Sequence, residues 1–269
     1  MKTLLKSFIG FFRDDGPMLA GSISYFFVMA IVPFSLFLIS ILGYFLGENR
    51  ALYDFFLKKL LNFFPTATHV ITEELEKIIT HKRIGIFTLF IYAIFSYQLY
   101  ESVERAINVI FKIKVKRAKL ISILLSLVII TLMIIFIIIS FGASSAILML
   151  KFSDKIFPGL VISRISSFLI RFVIPLLLIF LTATTLYILL PQKNIKFRHA
   201  VSGGLFTALF LEIAKHLFTF YFASKAYQQI GAIYGSISVF ITFLLWIFYS
   251  ACIFLIGAEV VHNSALDKH

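Results

Sequence analysis

Residues 120–150 read LISILLSLVIITLMIIFIIISFGASSAILML, without one charged side chain. As an α-helix rising about 1.5 Å per residue this run exceeds a hydrocarbon core of about 30 Å, whereas two crossings would need about 40 residues and a turn. The run therefore reads as one long, tilted transmembrane helix, with Gly142-Ala143-Ser144-Ser145-Ala146 allowing close packing or a break. Working outward, five further apolar runs reach crossing length, at about 19–46, 84–110, 172–190, 200–222 and 233–261. The predicted fold is all-α and polytopic: six transmembrane helices in a single membrane domain over residues 1–269. Composition agrees, because 60% of residues are hydrophobic and 14% charged, with a mean hydropathy of +0.99. An ordinary soluble domain has about 45–50% apolar and about 25% charged residues, so a water-soluble fold cannot hide the excess.

The formal net charge of +12 would suggest nucleic acid in a soluble protein, but the cations sit between apolar runs. Lys112, Lys114, Lys116, Arg117 and Lys119 share one short acid-free loop; Lys193, Lys196 and Arg198 share another. This is the positive-inside pattern. It predicts cytoplasmic N- and C-termini, contact with anionic lipid headgroups at that face, and no nucleic-acid partner. Upstream, Leu4, Leu5, Phe8, Ile9 and Phe12 recur at helical spacing opposite Lys2 and Lys6. That predicts an amphipathic helix over 1–15, too short to span, on the inner leaflet; it does not read as a cleavable signal peptide. Residues 47–83 carry two further amphipathic stretches separated at Pro65, read as outer-surface helices on which an envelope partner would dock. The single cysteine, Cys252, excludes a disulfide framework and a cysteine-based metal site.

Charged groups inside apolar runs carry most of the functional information. An ionised side chain at bilayer depth costs at least ~2.5–3.5 kcal/mol, so such residues pair with one another or line a wet cavity. Glu212, Lys215 and His216 lie at i, i+3 and i+4 of the fifth run and are the candidates for a substrate pathway; a plain packing ion pair is the alternative. Glu101, Glu104, Arg105 and Asn108 near the inner end of the second run, Tyr234 and Gly235 at the start of the sixth, and Glu259 near its inner end are gate candidates. Glu101, Glu104 and Glu259 are expected in one inner vestibule. Pro33 should kink the first crossing. No HExxH, P-loop or Gly-x-Ser-x-Gly pattern occurs and the histidines are scattered, so neither an enzyme, a metal site nor a cofactor is expected.

Several short stretches recur in order along nearly the whole chain: Leu19-Ala20-Gly21 through Tyr25 to Pro33, Asn62-Phe63-Phe64-Pro65, Ala106-Ile107-Asn108, Pro191, Gly203 with the Glu212 to Lys215 stretch, Ile233-Tyr234-Gly235, and Leu255-Ile256-Gly257-Ala258-Glu259. In these the chain resembles the YihY/BrkB family of bacterial inner-membrane proteins, historically misnamed ribonuclease BN-like. The resemblance implies six helices, cytoplasmic termini and a role as an exporter or lipid-related transport factor. The chain departs from the family pattern at Ala30, where serine is usual, and in lacking a long charged cytoplasmic tail. The resulting expectation is a multi-pass protein of the bacterial inner membrane that moves an amphipathic or lipidic substrate, with energy from a gradient or a partner because no ATP-binding motif is present. A non-transporting envelope scaffold and a membrane-embedded hydrolase are the rivals, and a homo-oligomer is compatible with either membrane role.

Overall fold

The computed structural model describes residues 2–30, 84–113, 121–122, 125, 168–223 and 236–266. Its elements are α1 (Lys2–Arg13), α2 (Gly16–Ala30), α3 (Ile84–Ile110), α4 (Ile174–Leu189), α5 (Phe197–Ala223) and α6 (Ser236–Leu266). Among the described residues there is no strand, as the apolar runs require. Most of the 120–150 run, Pro33, Tyr234, Gly235 and the two stretches within 47–83 lie outside the described residues, as does the second half of the first expected crossing.

Among the described residues two helices are long and apolar enough to cross a membrane, Phe197–Phe218 and Phe240–Leu266; Gly16–Ala30 and Ile174–Leu189 are apolar but shorter. In both crossing-length helices only 28% of the most apolar window is buried against protein. Leu205, Leu209, Ile213, Leu217 and Phe220 on α5, and Phe240, Ile241, Leu244 and Leu245 on α6, face outward. Apolar side chains turned away from the protein over so long a stretch are stable against acyl chains, not water.

Element ends follow from local chemistry. Pro175 occupies the first turn of α4 and, having no N–H, interrupts the hydrogen-bond ladder of a helix that already runs from Phe168. The turn before it, Leu169–Val173, widens to a π-helix in which the Ile174 N–H donates to the Leu169 carbonyl. Helix α5 starts at Phe197, three residues ahead of the expected limit, because Lys196 already accepts from the His199 N–H at 2.9 Å. Helix α3 ends where Lys112 adopts φ 56°, a left-handed cap, with the Ile113 N–H on the Asn108 carbonyl at 2.9 Å. Asp15, at φ 54°, makes the corresponding break between α1 and α2. Gly16 follows it because a Cβ there would run into the Phe11 ring and approach the Phe11 carbonyl oxygen to 2.5 Å.

The chain packs as two compact units, each assembled from separated stretches. The first comprises Met1–Pro17, Glu104–Lys215 and Cys252–His269. Its centre is a contact of α4, α5 and α6 built on small residues: a Cβ on Gly203 would lie 2.6 Å from the Gly257 carbonyl oxygen, and one on Gly204 3.2 Å from that of Phe180. Backbones this close are the small-residue packing of membrane helices. Tyr187 is fully buried against them, its ring stacked on Phe254 with centroids 5.0 Å apart. Its hydroxyl donates to the Phe254 carbonyl at 2.6 Å, so the Thr207 hydroxyl, 2.7 Å away, supplies the other proton. The second unit comprises Met18–Val103 and His216–Ala251. Within it Ser22 and Ser102 share a hydrogen bond of 2.9 Å between α2 and α3, and Trp246 packs on Phe218 with centroids 4.9 Å apart.

Candidate functional site

Glu212 is 3% exposed on α5 although its neighbours along the helix are apolar. The Lys215 ammonium donates to its Oε1 one turn on, and the Lys215 side chain is itself 40% exposed. The pair therefore reaches from the packed side of the helix toward its open side. His216 lies on the open side, exposed. Of the three residues that spacing groups together, the structure pairs Glu212 with Lys215 and turns His216 outward.

The residues near the end of α3 divide by helical angle. At about 100° per residue, Glu104, Asn108, Glu101 and Arg105 fan across the helix surface in that order. Their burial follows the fan: Glu104 is 8% exposed, Asn108 half-buried, and Glu101 and Arg105 exposed. The Glu104 carboxylate accepts from the Ser122 hydroxyl at 3.2 Å and from Gln192 Nε2 at 3.5 Å. It thereby ties α3 to the residue-122 region and to the α4–α5 connection. Asn108 Oδ1 is buried without a hydrogen-bond partner among the described residues.

Glu259 is 1% exposed on α6. Its described hydrogen-bond partners are Asn263, whose Nδ2 lies 3.3 Å from Oε2, and Asp14. Asn263 Nδ2 also donates to Ser7 Oγ at 3.1 Å, and Ser7 in turn donates to the Thr3 carbonyl at 2.8 Å. Gly10 of α1 lies directly on the Glu259 carboxylate, where a Cβ would come within 2.7 Å of Oε2. Helix α1 thus docks on α6 through Ser7 and Gly10, both buried. A second tie runs to the α3 cap, where the Lys112 ammonium pairs with Asp14, with Arg13 Nε 3.5 Å from the other carboxylate oxygen.

Asp14, Lys112, Ser7, Gly10 and Asn263 were not readable as one cluster. Asp14 and Lys112 are 98 residues apart and Ser7 and Asn263 256 apart, separations for which no local pattern exists. Burial opposes ionisation of Asp14, yet Lys112, with the Glu259 hydrogen bond and Arg13, holds its carboxyl below the ordinary value of 3.8. Ionised Asp14 therefore favours the folded state above that value, and its contribution disappears as pH falls through the lower folded value. Titration of Asp14 itself should remove no thermal stability above pH 3.8. Below it a loss is expected that Asp14→Asn abolishes, followed by melting curves of both proteins across that range.

Among the described residues no three His, Cys, Asp or Glu side chains converge as metal ligands. A family model described as Virulence factor BrkB matches residues 8–268. A UPF0761 membrane protein of Glaesserella parasuis is 32% identical over 206 residues, covering 76% of this chain and 71% of that protein. One of Haemophilus influenzae is 29% identical over 256 residues, covering 93% and 89%. One of Chlorobium limicola is 32% identical over 270 residues, covering 97% of this chain but 58% of its own, longer sequence. No solved structure matches. The outward apolar helices and the near full-length family match lead to one statement: this chain is a membrane protein of the YihY/BrkB family.

Proposed function

We propose that the chain is an inner-membrane transporter or exporter that moves an amphipathic or lipidic substrate along a polar path lined by α5. In this reading six helices cross the bilayer, both termini are cytoplasmic, and Glu212 and Lys215 are the polar step of the path. The observation that carries it is the asymmetry of the pair: Glu212 is buried, while the Lys215 side chain stays 40% exposed on a crossing-length apolar helix. A pair serving packing alone would be expected to bury both ends, since a half-exposed ammonium facing acyl chains is costly. A polar path solvates it instead. His216, exposed one residue on, adds a titratable group that suits proton coupling. Glu104, Asn108 and Glu259, with Glu101 and Arg105 on the open side of α3, would gate the inner end.

The test is flux in proteoliposomes with labelled phospholipid or lysophospholipid as probe. Glu212→Gln and Lys215→Met should each lower the rate by at least about tenfold, the scale of one charge-assisted contact, while leaving the folded fraction unchanged. Wild-type rates from both variants, folded and correctly inserted, would remove Glu212 and Lys215 from any path.

A further inference from the structure

Helix α1 is docked the opposite way round from an amphipathic helix in a soluble protein. Ser7 and Gly10 face the protein with Phe11, while Leu5, Phe8, Ile9 and Phe12 are 53–66% exposed. These four lie at i, i+3, i+4 and i+7, one continuous apolar stripe. Hydrogen bonding through Ser7 and contact of Gly10 with Glu259 fix the helix by its polar side. The stripe cannot turn inward without breaking them. At 12 residues, about 18 Å, the helix is too short to cross a bilayer.

The stripe ends at a cluster of cations. Arg13, next to Phe12, and Lys112 hold the two oxygens of Asp14, and both are accessible, their side chains 69% and 48% exposed against 8% for Asp14. Lys193 is exposed, and it acts electrostatically on His262 together with Lys112, Arg13 and Asp14. Arg13 and Lys112 act on both acids, Asp14 and Glu259, and the acids are the buried members. Arg13 meets Asp14 through Nε, and an ammonium has three N–H donors, so both keep donors for an outside anion.

From this juxtaposition of outward stripe and exposed cations we infer that α1 and the α3 cap form a binding site for an anionic phospholipid of the surrounding leaflet. The acyl chains lie on Leu5, Phe8, Ile9 and Phe12, and the headgroup phosphate is held by Arg13, Lys112 and Lys193 in competition with Asp14. Neither half suffices alone: the stripe accepts any acyl chain, and the cations accept any phosphate. Their adjacency at Phe12 and Arg13 selects a molecule carrying both. The site does not depend on transport, because its residues are distinct from Glu212 and Lys215.

The test is native mass spectrometry of the full-length protein in detergent micelles, titrated in parallel with phosphatidylglycerol, phosphatidylcholine and inorganic phosphate. Phosphatidylglycerol should be retained selectively. Lys193→Gln should weaken it about fivefold and Arg13→Gln with Lys193→Gln about twenty-fivefold, the effect of about 1 kcal/mol per interfacial cation. Asp14→Asn should strengthen it, an effect opposite to that of mere destabilisation. Phe8→Gln with Phe12→Gln should weaken both lipids while leaving the preference between them. Equal retention of the two lipids, or no change on removing Arg13 and Lys193, would overturn the inference. So would displacement of bound lipid by inorganic phosphate at equal concentration, or an α1-mediated dimer that anionic lipid does not disperse. Because Lys193 is exposed and outside the Asp14 ion pairs, its variant remains informative should Asp14→Asn fold poorly.

Discussion

Gly203→Ala is expected to destabilise the protein by about 2–3 kcal/mol, the cost of overpacking a close-packed contact, and to lower the apparent melting temperature by roughly 10 °C. The added methyl would lie 2.6 Å from the Gly257 carbonyl oxygen and run into a Val261 methyl, with the Tyr187 ring at 3.3 Å. A side chain can rotate away from such a contact, but the Gly257 carbonyl belongs to the α6 backbone. Helices α5 and α6 must therefore separate. Separation also strains the Tyr187 bonds to Thr207 and to the Phe254 carbonyl, since these join the same three helices. The gain in helix propensity from glycine to alanine, about 1 kcal/mol, offsets only part of this. Gly21→Ala is the control, because nothing lies within 4 Å of its added methyl. Its melting temperature should stay level or rise. Detergent-solubilised melting curves of the two variants decide the matter: equal behaviour would mean that α5 and α6 are not in backbone contact at Gly203.

That contact marks the limit of what sequence alone makes legible. Gly203 and Gly204 on an apolar run announce a close approach but not to what, and Gly257 stands out only within the stretch that carries the family resemblance. Helical character and outward apolar surface were legible in α5 and α6 because hydropathy is local and additive along the chain. The α1 stripe was legible for the same reason, and the residues expected on its apolar face, Leu4, Leu5, Phe8, Ile9 and Phe12, are the exposed ones. Its docking face was not, because Ser7 and Gly10 are unremarkable until Asn263 and Glu259 are set beside them. The candidate polar residues behave likewise. Glu212 and Lys215 sit one turn apart, so their pairing follows from helix geometry. Glu104 was recognisable as a carboxylate in an apolar helix, whereas its partners Ser122 and Gln192 lie 18 and 88 residues away. The Asn263 and Gly10 neighbours of Glu259 were hidden for the same reason: depth along a helix can be read from sequence, direction around it only when every adjoining element is known.

Gly10→Ala should undock α1 in a way that a change at Glu259 repairs. The alanine methyl would lie 2.7 Å from Glu259 Oε2 and 2.9 Å from Cδ, against the end of a side chain 1% exposed and held by Asn263. The carboxylate cannot swing into solvent, so relief requires α1 to lift, at a cost of about 1–3 kcal/mol. Lifting exposes the chain around Arg13, which makes trypsin cleavage there a local measure: the rate should rise about tenfold for each 1.4 kcal/mol when opening and closing are fast relative to cleavage. Glu259→Asp alone should also loosen the dock, because the shortened side chain retreats from Asn263. Together the two changes should interfere less than either model of independent damage allows, since the shorter side chain vacates the space that the methyl fills. A double-mutant cycle on cleavage rate and melting temperature should give a coupling of about 1–2 kcal/mol in favour of the pair. Additive losses would mean that Gly10 and Glu259 do not touch. In that case the hold on α1 rests on its other described contacts, among them the Asp14 ion pairs and the Ser7 hydrogen bond.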